Sequence, residues 1–278
     1  MLAALLGAGG AGCSSPQTPD EGDRLSRHFE LATWGDGLAA QLDDPARWGT
    51  EAALLVATPI LHHYDREIEE HLSTHTPVTG GDPARGQAAA VALGIVAVGL
   101  GAQQWIEGDH GEAIEVAAES ILLTEGTTEI LKKTVNRPRP EGGSTESFPS
   151  SHASFSFAAA TLIARETELM GSESENAWWS ELGWLAYLPA TYVAINRVEA
   201  ARHWPSDVAA GAFLGVFFTN WVFDAHYGAS GSHGEPVRHG IYDPERRAPP
   251  KTSSLMSGWM FRPLIGDQQV GLLVAHPF

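Results

Sequence analysis

The hydrophobic and polar positions of this chain sort into a series of helical segments, with a strand-like pattern only at the end. Glu51 to His71, beginning EAALLVATPILHHYD, reads as a helix with Pro59 as a kink. THTPVTGGDPARG follows as a loop by its Pro and Gly content. The run from Gly86 to Ile106 carries no charge and is long enough to cross a bilayer. Its Ala, Gly and Val composition suits a helix in the centre of a bundle equally well. Glu112 to Thr134 interleaves Glu115, Glu119, Glu125 and Glu129 with Ile, Val and Leu, the pattern of an amphipathic helix facing water. Ser154 to Met170 continues the series, and Leu182 to Asn196 and Val208 to Phe223 are apolar, Trp-containing and short for membrane spans. The expected fold is an all-α bundle of about six helices, soluble or lying against a membrane. GWMFRPLIGDQQVGLLVAHPF predicts two short strands around a Gly-Asp turn, a C-terminal β-hairpin.

The chain therefore divides into a signal-like segment (1–13), a tether rich in Ser, Pro, Asp and Glu (14–30), a helical domain (31–226) and an irregular extension ending in the hairpin (227–278). Composition changes this picture little. Hydrophobic content is 43%, which fits a soluble globular body better than a polytopic membrane protein. The formal net charge of −17 argues against a nucleic-acid-binding surface. Cys13 is the one cysteine, so no intrachain disulfide forms. It closes the apolar run MLAALLGAGGAGC and precedes a polar stretch, which resembles a bacterial lipoprotein signal with Cys13 lipidated. No basic residue precedes the run, and Gly10 stands where Leu is usual. That reading places the protein in the bacterial cell envelope, on the periplasmic side, anchored to the outer membrane by lipid.

Candidate chemistry concentrates between Lys132 and Asp207. KKTVNRPRP places Lys132 near a helix end, where cations suit the dipole, and alternates Arg137 and Arg139 with prolines that fix where each guanidinium points. FPSSH is a turn feeding a helix, where Ser150 or Ser151 can cap and free N–H groups can seat an anion. His152 in the first helical turn is unfavourable as a cation and asks for a reason, such as an acid beside a bound phosphate. In NRVEAARHWPSD, Asp207 can cap the next helix, or accept from one nitrogen of His203 and leave the other free to attack. The cluster His62, His63, Asp65, Glu67 and His71 matches no metal spacing and reads as a solvated helix end.

Together and in this order, the three clusters resemble the type 2 phosphatidic acid phosphatase (PAP2) superfamily, which includes bacterial acid phosphatases and vanadium haloperoxidases. Its pattern is Lys, six residues, Arg-Pro; then Pro-Ser-Gly-His; then Ser-Arg, five residues, His, three residues, Asp. Lys132 to Arg139-Pro140, Pro149 to His152, and Asn196-Arg197 to His203 and Asp207 keep those spacings. Ser151 replaces Gly and Asn196 replaces Ser. The resemblance implies His203 as a nucleophile forming a phosphohistidine, Asp207 as its orienting partner and His152 as acid and base. Lys132, Arg139, Ser150, Ser151 and Arg197 would hold the phosphoryl oxygens of a phosphorylated small molecule or a lipid phosphate. It implies no metal and no cofactor, with vanadate as an inhibitor. The haloperoxidase alternative would use vanadate as cofactor, and a lipid-anchored binding protein without turnover is a third reading.

Overall fold

The computed structural model describes residues 31–43, 45–75, 77–107, 112–172, 177–227, 260–266 and 269–275. Cys13, the signal-like segment, the tether and most of the C-terminal extension lie outside the described residues. Among the described residues, seven α-helices and one 3₁₀ segment form the helical body: α1 (Leu31–Asp43), α2 (Pro45–Thr74), α3 (Pro83–Glu107), α4 (Glu112–Val135), α5 (Ser151–Ser172), the 3₁₀ turn Ala177–Ala186, α6 (Tyr187–Glu199) and α7 (Pro205–Tyr227). The expected bundle is therefore present, with one helix more than the count of about six. The apolar stretch expected as one helix from Leu182 is split, its first residues winding as 3₁₀ and its remainder as α6. Met260–Gly266 and Gln269–Ala275 pair antiparallel, the C-terminal hairpin expected from the sequence.

The central position belongs to α7, which packs against α5, α2, α4 and α1. It holds this place because its Ala and Gly residues let neighbours approach. A Cβ at Gly211 would lie 2.6 Å from the carbonyl oxygen of Ser150, so only glycine brings α7 this close to the start of α5. The uncharged stretch in α3, offered by its composition as a central helix, sits at the margin instead. Leu93 and Ala97 point inward, while Val91, Ile95, Val96 and Val98 are exposed. Both α3 (Pro83–Gln104) and α7 (Pro205–Tyr227) are long and apolar enough to cross a membrane. In α7 that composition serves burial among its neighbours; in α3 it faces outward.

The structure reverses the expectation for α4. Its inward residues are Ala113, Val116, Ser120, Thr124, Thr128 and Lys132, at helical spacing, while Leu122 and Ile130 are about 70% exposed (71% and 67%). A stripe of small and hydroxyl residues allows close helix approach, so α4 packs by that face and turns its Leu and Ile outward.

Candidate active site

Three junctions at one end of the bundle carry the chemistry. The first follows α4, where Lys132 is buried and its Nζ donates to the carbonyl oxygens of Pro149 (2.9 Å) and Glu146 (3.4 Å). These bonds tie the end of α4 to the turn that opens α5. Burial pushes the Lys132 ammonium below its ordinary range, and Arg139 adds to this, against the raising influence of Glu129 and Glu125.

The second junction opens α5. Ser150 is fully buried, and its Oγ accepts from the Ala153 N–H at 3.4 Å, the N-cap read from the sequence. Its own N–H donates to the backbone carbonyl of Asp207 at 3.0 Å, which joins the starts of α5 and α7. Ser151 and His152 occupy the first turn and are half-buried. Burial, with Arg197, Lys132 and Arg139 nearby, pushes His152 down to about 4. A neutral His152 removes the conflict with the helix dipole that its position implied.

The third junction runs from α6 to α7. The Arg202 N–H donates to Arg197 O and the Ala201 N–H to Val198 O, with Ala201 at φ +53°, which together form a Schellman turn. This reversal carries His203 back beside Arg197. Trp204 then caps α7, Pro205 takes the first helical position, and Asp207 reaches back to the Trp204 N–H at 2.8 Å. The capping role for Asp207 is therefore present. Its direct hydrogen bond to His203 is not, since Nδ1 lies 4.0 Å from Oδ2. Instead His203 Nδ1 donates to the Ser147 carbonyl at 2.7 Å, and Ser147 Oγ donates to Asp207. The carbonyl can only accept, so Nδ1 carries the proton and Nε2 is the unprotonated nitrogen. Burial and Lys132 push His203 down to about 3, opposed by the bond to Ser147.

Arg139, Arg197, His152 and His203 line one cavity of about 380 Å³, together with Arg202, Pro83, Ala84 and Gln87. Lys132, Ser150 and Ser151, expected beside them, do not line it, although the Lys132 charge lowers both histidines. Arg202 was not singled out by spacing; it joins the wall because Glu141 holds it at 2.7 Å. The wall from α3 was equally hidden in the sequence, and its placement depends on Glu199 and Asn196. Glu199 accepts from the N–H groups of Val78, Thr79 and Gly81 and from Thr79 Oγ1. Burial raises this carboxyl, but those bonds outweigh it and hold Glu199 below the usual range. Asn196 donates to Thr79 Oγ1 (2.9 Å) and the Asp82 carbonyl (3.0 Å), and accepts from Arg197 at 2.6 Å. A Cβ on Gly86 would lie 2.2 Å from Asn196 Oδ1, so glycine is required where α3 meets α6.

The acidic run in α2 separates into unlike parts. His62 is exposed, and among the described residues no His, Cys, Asp or Glu cluster is placed to hold a metal. Asp65 departs from the solvated reading. It is 5% exposed and accepts from the Ser206 N–H (2.8 Å), Ser206 Oγ (2.6 Å) and Arg137 (2.6 Å).

Residues 116–230 match the model of the PAP2 superfamily. The lipid A 1-phosphatase of Porphyromonas gingivalis is 34% identical over 117 residues, 41% of this chain and 24% of that protein. The decaprenylphosphoryl-5-phosphoribose phosphatase of Mycobacterium tuberculosis is 29% identical over 136 residues, 45% of this chain and 62% of that protein. The chain thus spans less than two thirds of the length of either relative. The crystal structure of Aquifex aeolicus LpxE is similar with a TM-score of 0.41 and 21% identity, covering 56% of this chain and 92% of that one. All three clusters lie inside the matched segment, so it is residues 116–230 that carry the likeness to the PAP2 superfamily.

Proposed function

We propose that this protein is a metal-independent phosphatase of lipid phosphates that works through a phosphohistidine intermediate. The observation that carries the reading is the convergence of His203, His152, Arg139 and Arg197 on one cavity. His203 Nε2 attacks phosphorus as the bond to the leaving oxygen breaks, and His152 protonates that oxygen. His152 then takes a proton from water, which attacks phosphorus and releases inorganic phosphate with His203 restored. Lys132, Arg139 and Arg197 hold the phosphoryl oxygens, with Ser150 and the Ser151 N–H; positioning and charge stabilisation dominate such transfers. In the empty site, burial and, after it, the nearby cations keep His152 neutral. A bound phosphoryl dianion offsets those cations, so the substrate itself promotes protonation of the acid.

Two features support a lipid substrate. The relatives named above act, by their names, on lipid A and on a decaprenylphosphoryl sugar. Ala84 and Gln87 line the cavity, and Val91, Ile95 and Val98 continue from them along the exposed face of α3 at helical spacing. An acyl or prenyl chain leaving the cavity has an apolar track there. We place the protein on the periplasmic side of a bacterial envelope, with Cys13 lipidated and tied to the outer membrane.

The test is phosphate release from phosphatidate in detergent and from an aryl phosphomonoester, with chelator present and His203→Ala beside the unaltered protein. Turnover should survive chelator, be inhibited by vanadate and fall by at least about a thousandfold in the variant. Loss of turnover with chelator, or an active His203→Ala protein, would overturn the mechanism.

A further inference from the structure

The orienting chain behind His203 does not end at Asp207. Asp207 is fully buried; its Oδ2 accepts from Ser147 Oγ and the Trp204 N–H, and its Oδ1 accepts from Arg137 at 2.6 Å. The other arm of the Arg137 guanidinium donates to Asp65 Oδ2 at 2.6 Å. Ser206 closes the circuit, accepting from Arg137 at 2.8 Å and donating its hydroxyl to Asp65 at 2.6 Å. The Arg137 guanidinium also lies over the Trp204 ring, 5.4 Å from its centroid. Arg137 and Asp65 are only 17% and 6% exposed along their side chains, so little solvent screens these charges.

We propose that Asp65 and Arg137 are positioning residues for phosphoryl transfer, holding Asp207 and Ser147 so that the Ser147 carbonyl fixes the imidazole of His203. The proposal rests on His203 being the nucleophile. Its physical content is geometric and electrostatic. The planar fork of Arg137 spans two carboxylates at once, which an ammonium on a flexible stem does not reproduce. The signs along the chain run negative, positive, negative, so the circuit keeps a net negative charge beside His203. That charge stabilises the imidazolium character that develops when Nε2 bonds phosphorus. With Asp65 removed, Arg137 cancels Asp207 and the net charge there becomes zero. A helix-capping role for Asp65 at the start of α7 is also present, through the Ser206 N–H. Capping alone affects stability, whereas the proposed circuit acts on the chemical step.

The experiment uses the full chain in detergent, with phosphatidate and an aryl phosphomonoester as substrates and inorganic phosphate as inhibitor. Asp65→Asn, Arg137→Lys and the double variant combining these two substitutions are compared with His203→Ala, and a circular dichroism melt reports folding. Asp65→Asn should lower kcat by roughly ten- to a hundredfold on both substrates, as small misplacements at reacting groups do. KM and the phosphate inhibition constant should stay within about twofold, because the anion-holding cations are untouched. Arg137→Lys should retain part of the activity, and the double variant should be far less impaired than the product of separate losses. An unchanged kcat in folded Asp65→Asn, with His203→Ala inactive, overturns the proposal and leaves the nucleophile assignment standing. A rise in KM and in the inhibition constant at constant kcat also overturns it, as does loss of the folded melt in both single variants. Activity in His203→Ala overturns the underlying mechanism instead.

Discussion

His152 and His203 share one physical situation: two imidazoles kept neutral by burial first, and by the cations around them second. Their folded values of about 4 and about 3 lie below the ordinary 6.5. The unfolded chain therefore takes up protons that the folded chain refuses as pH falls from 6.5. Stability from these groups is fully present above pH 6.5 and is lost progressively toward pH 3 to 4. The melting temperature should fall on acidification through this window. His152→Gln should flatten that dependence by up to about 1.4 kcal/mol per pH unit, measured by chemical unfolding at pH 6.5 and 4.5. Lys132, Arg139, His152, Arg197 and His203 were all legible in the sequence, because their spacing survives in a chain read without coordinates. Asp65 was not. Nothing in DREIEE distinguishes it from Glu67, Glu69 or Glu70, and its partners Arg137 and Ser206 lie far along the chain. Glu199 was hidden in the same way, although it sits between two residues that were recognised.

At the scale of elements, turns and close approaches set the geometry. Ala201 occupies the left-handed position of the Schellman turn, where glycine is the usual residue. Ala201→Gly should therefore raise stability by about 1 kcal/mol, read as a melting temperature higher by a few degrees, without moving His203. Gly211→Ala should do the opposite. The new methyl would press on the Ser150 carbonyl, costing about 1–3 kcal/mol and separating the starts of α5 and α7. Phosphate release and a thermal melt, measured together, check both effects. Helix existence was readable from the sequence, but facing was not. In α4 the Glu, Ile and Leu pattern suggested a wet face and a core face. The packing face is instead the Ser120, Thr124 and Thr128 stripe, whose hydroxyls have no partner among the described residues. Periodicity locates a stripe without saying whether it meets protein, water or lipid.

The whole molecule shows that reversal more broadly. Its interior holds polar pairs: Arg165 with Asp224 at 2.6 Å, Gln41 and Asn220 with Glu51 at 2.6 and 3.0 Å, and His226 with Glu119 at 2.7 Å. Its exterior carries Ile60, Ile95, Leu122, Ile130, Leu185 and Leu188, each more than half exposed. Polar groups inside and apolar residues outside suit a lipid surround. Val91→Ser with Ile95→Ser should raise KM for phosphatidate severalfold relative to the aryl phosphomonoester, a ratio that steady-state kinetics reads directly. The four donors gathered on Glu199 have an evolutionary consequence. One carboxylate gathers donors from Val78, Thr79 and Gly81, so an insertion within this stretch would pull some of them out of reach. Descendants of this scaffold can change substrate preference by exchanging side chains at Ala84 and Gln87 more readily than by lengthening the loop before them.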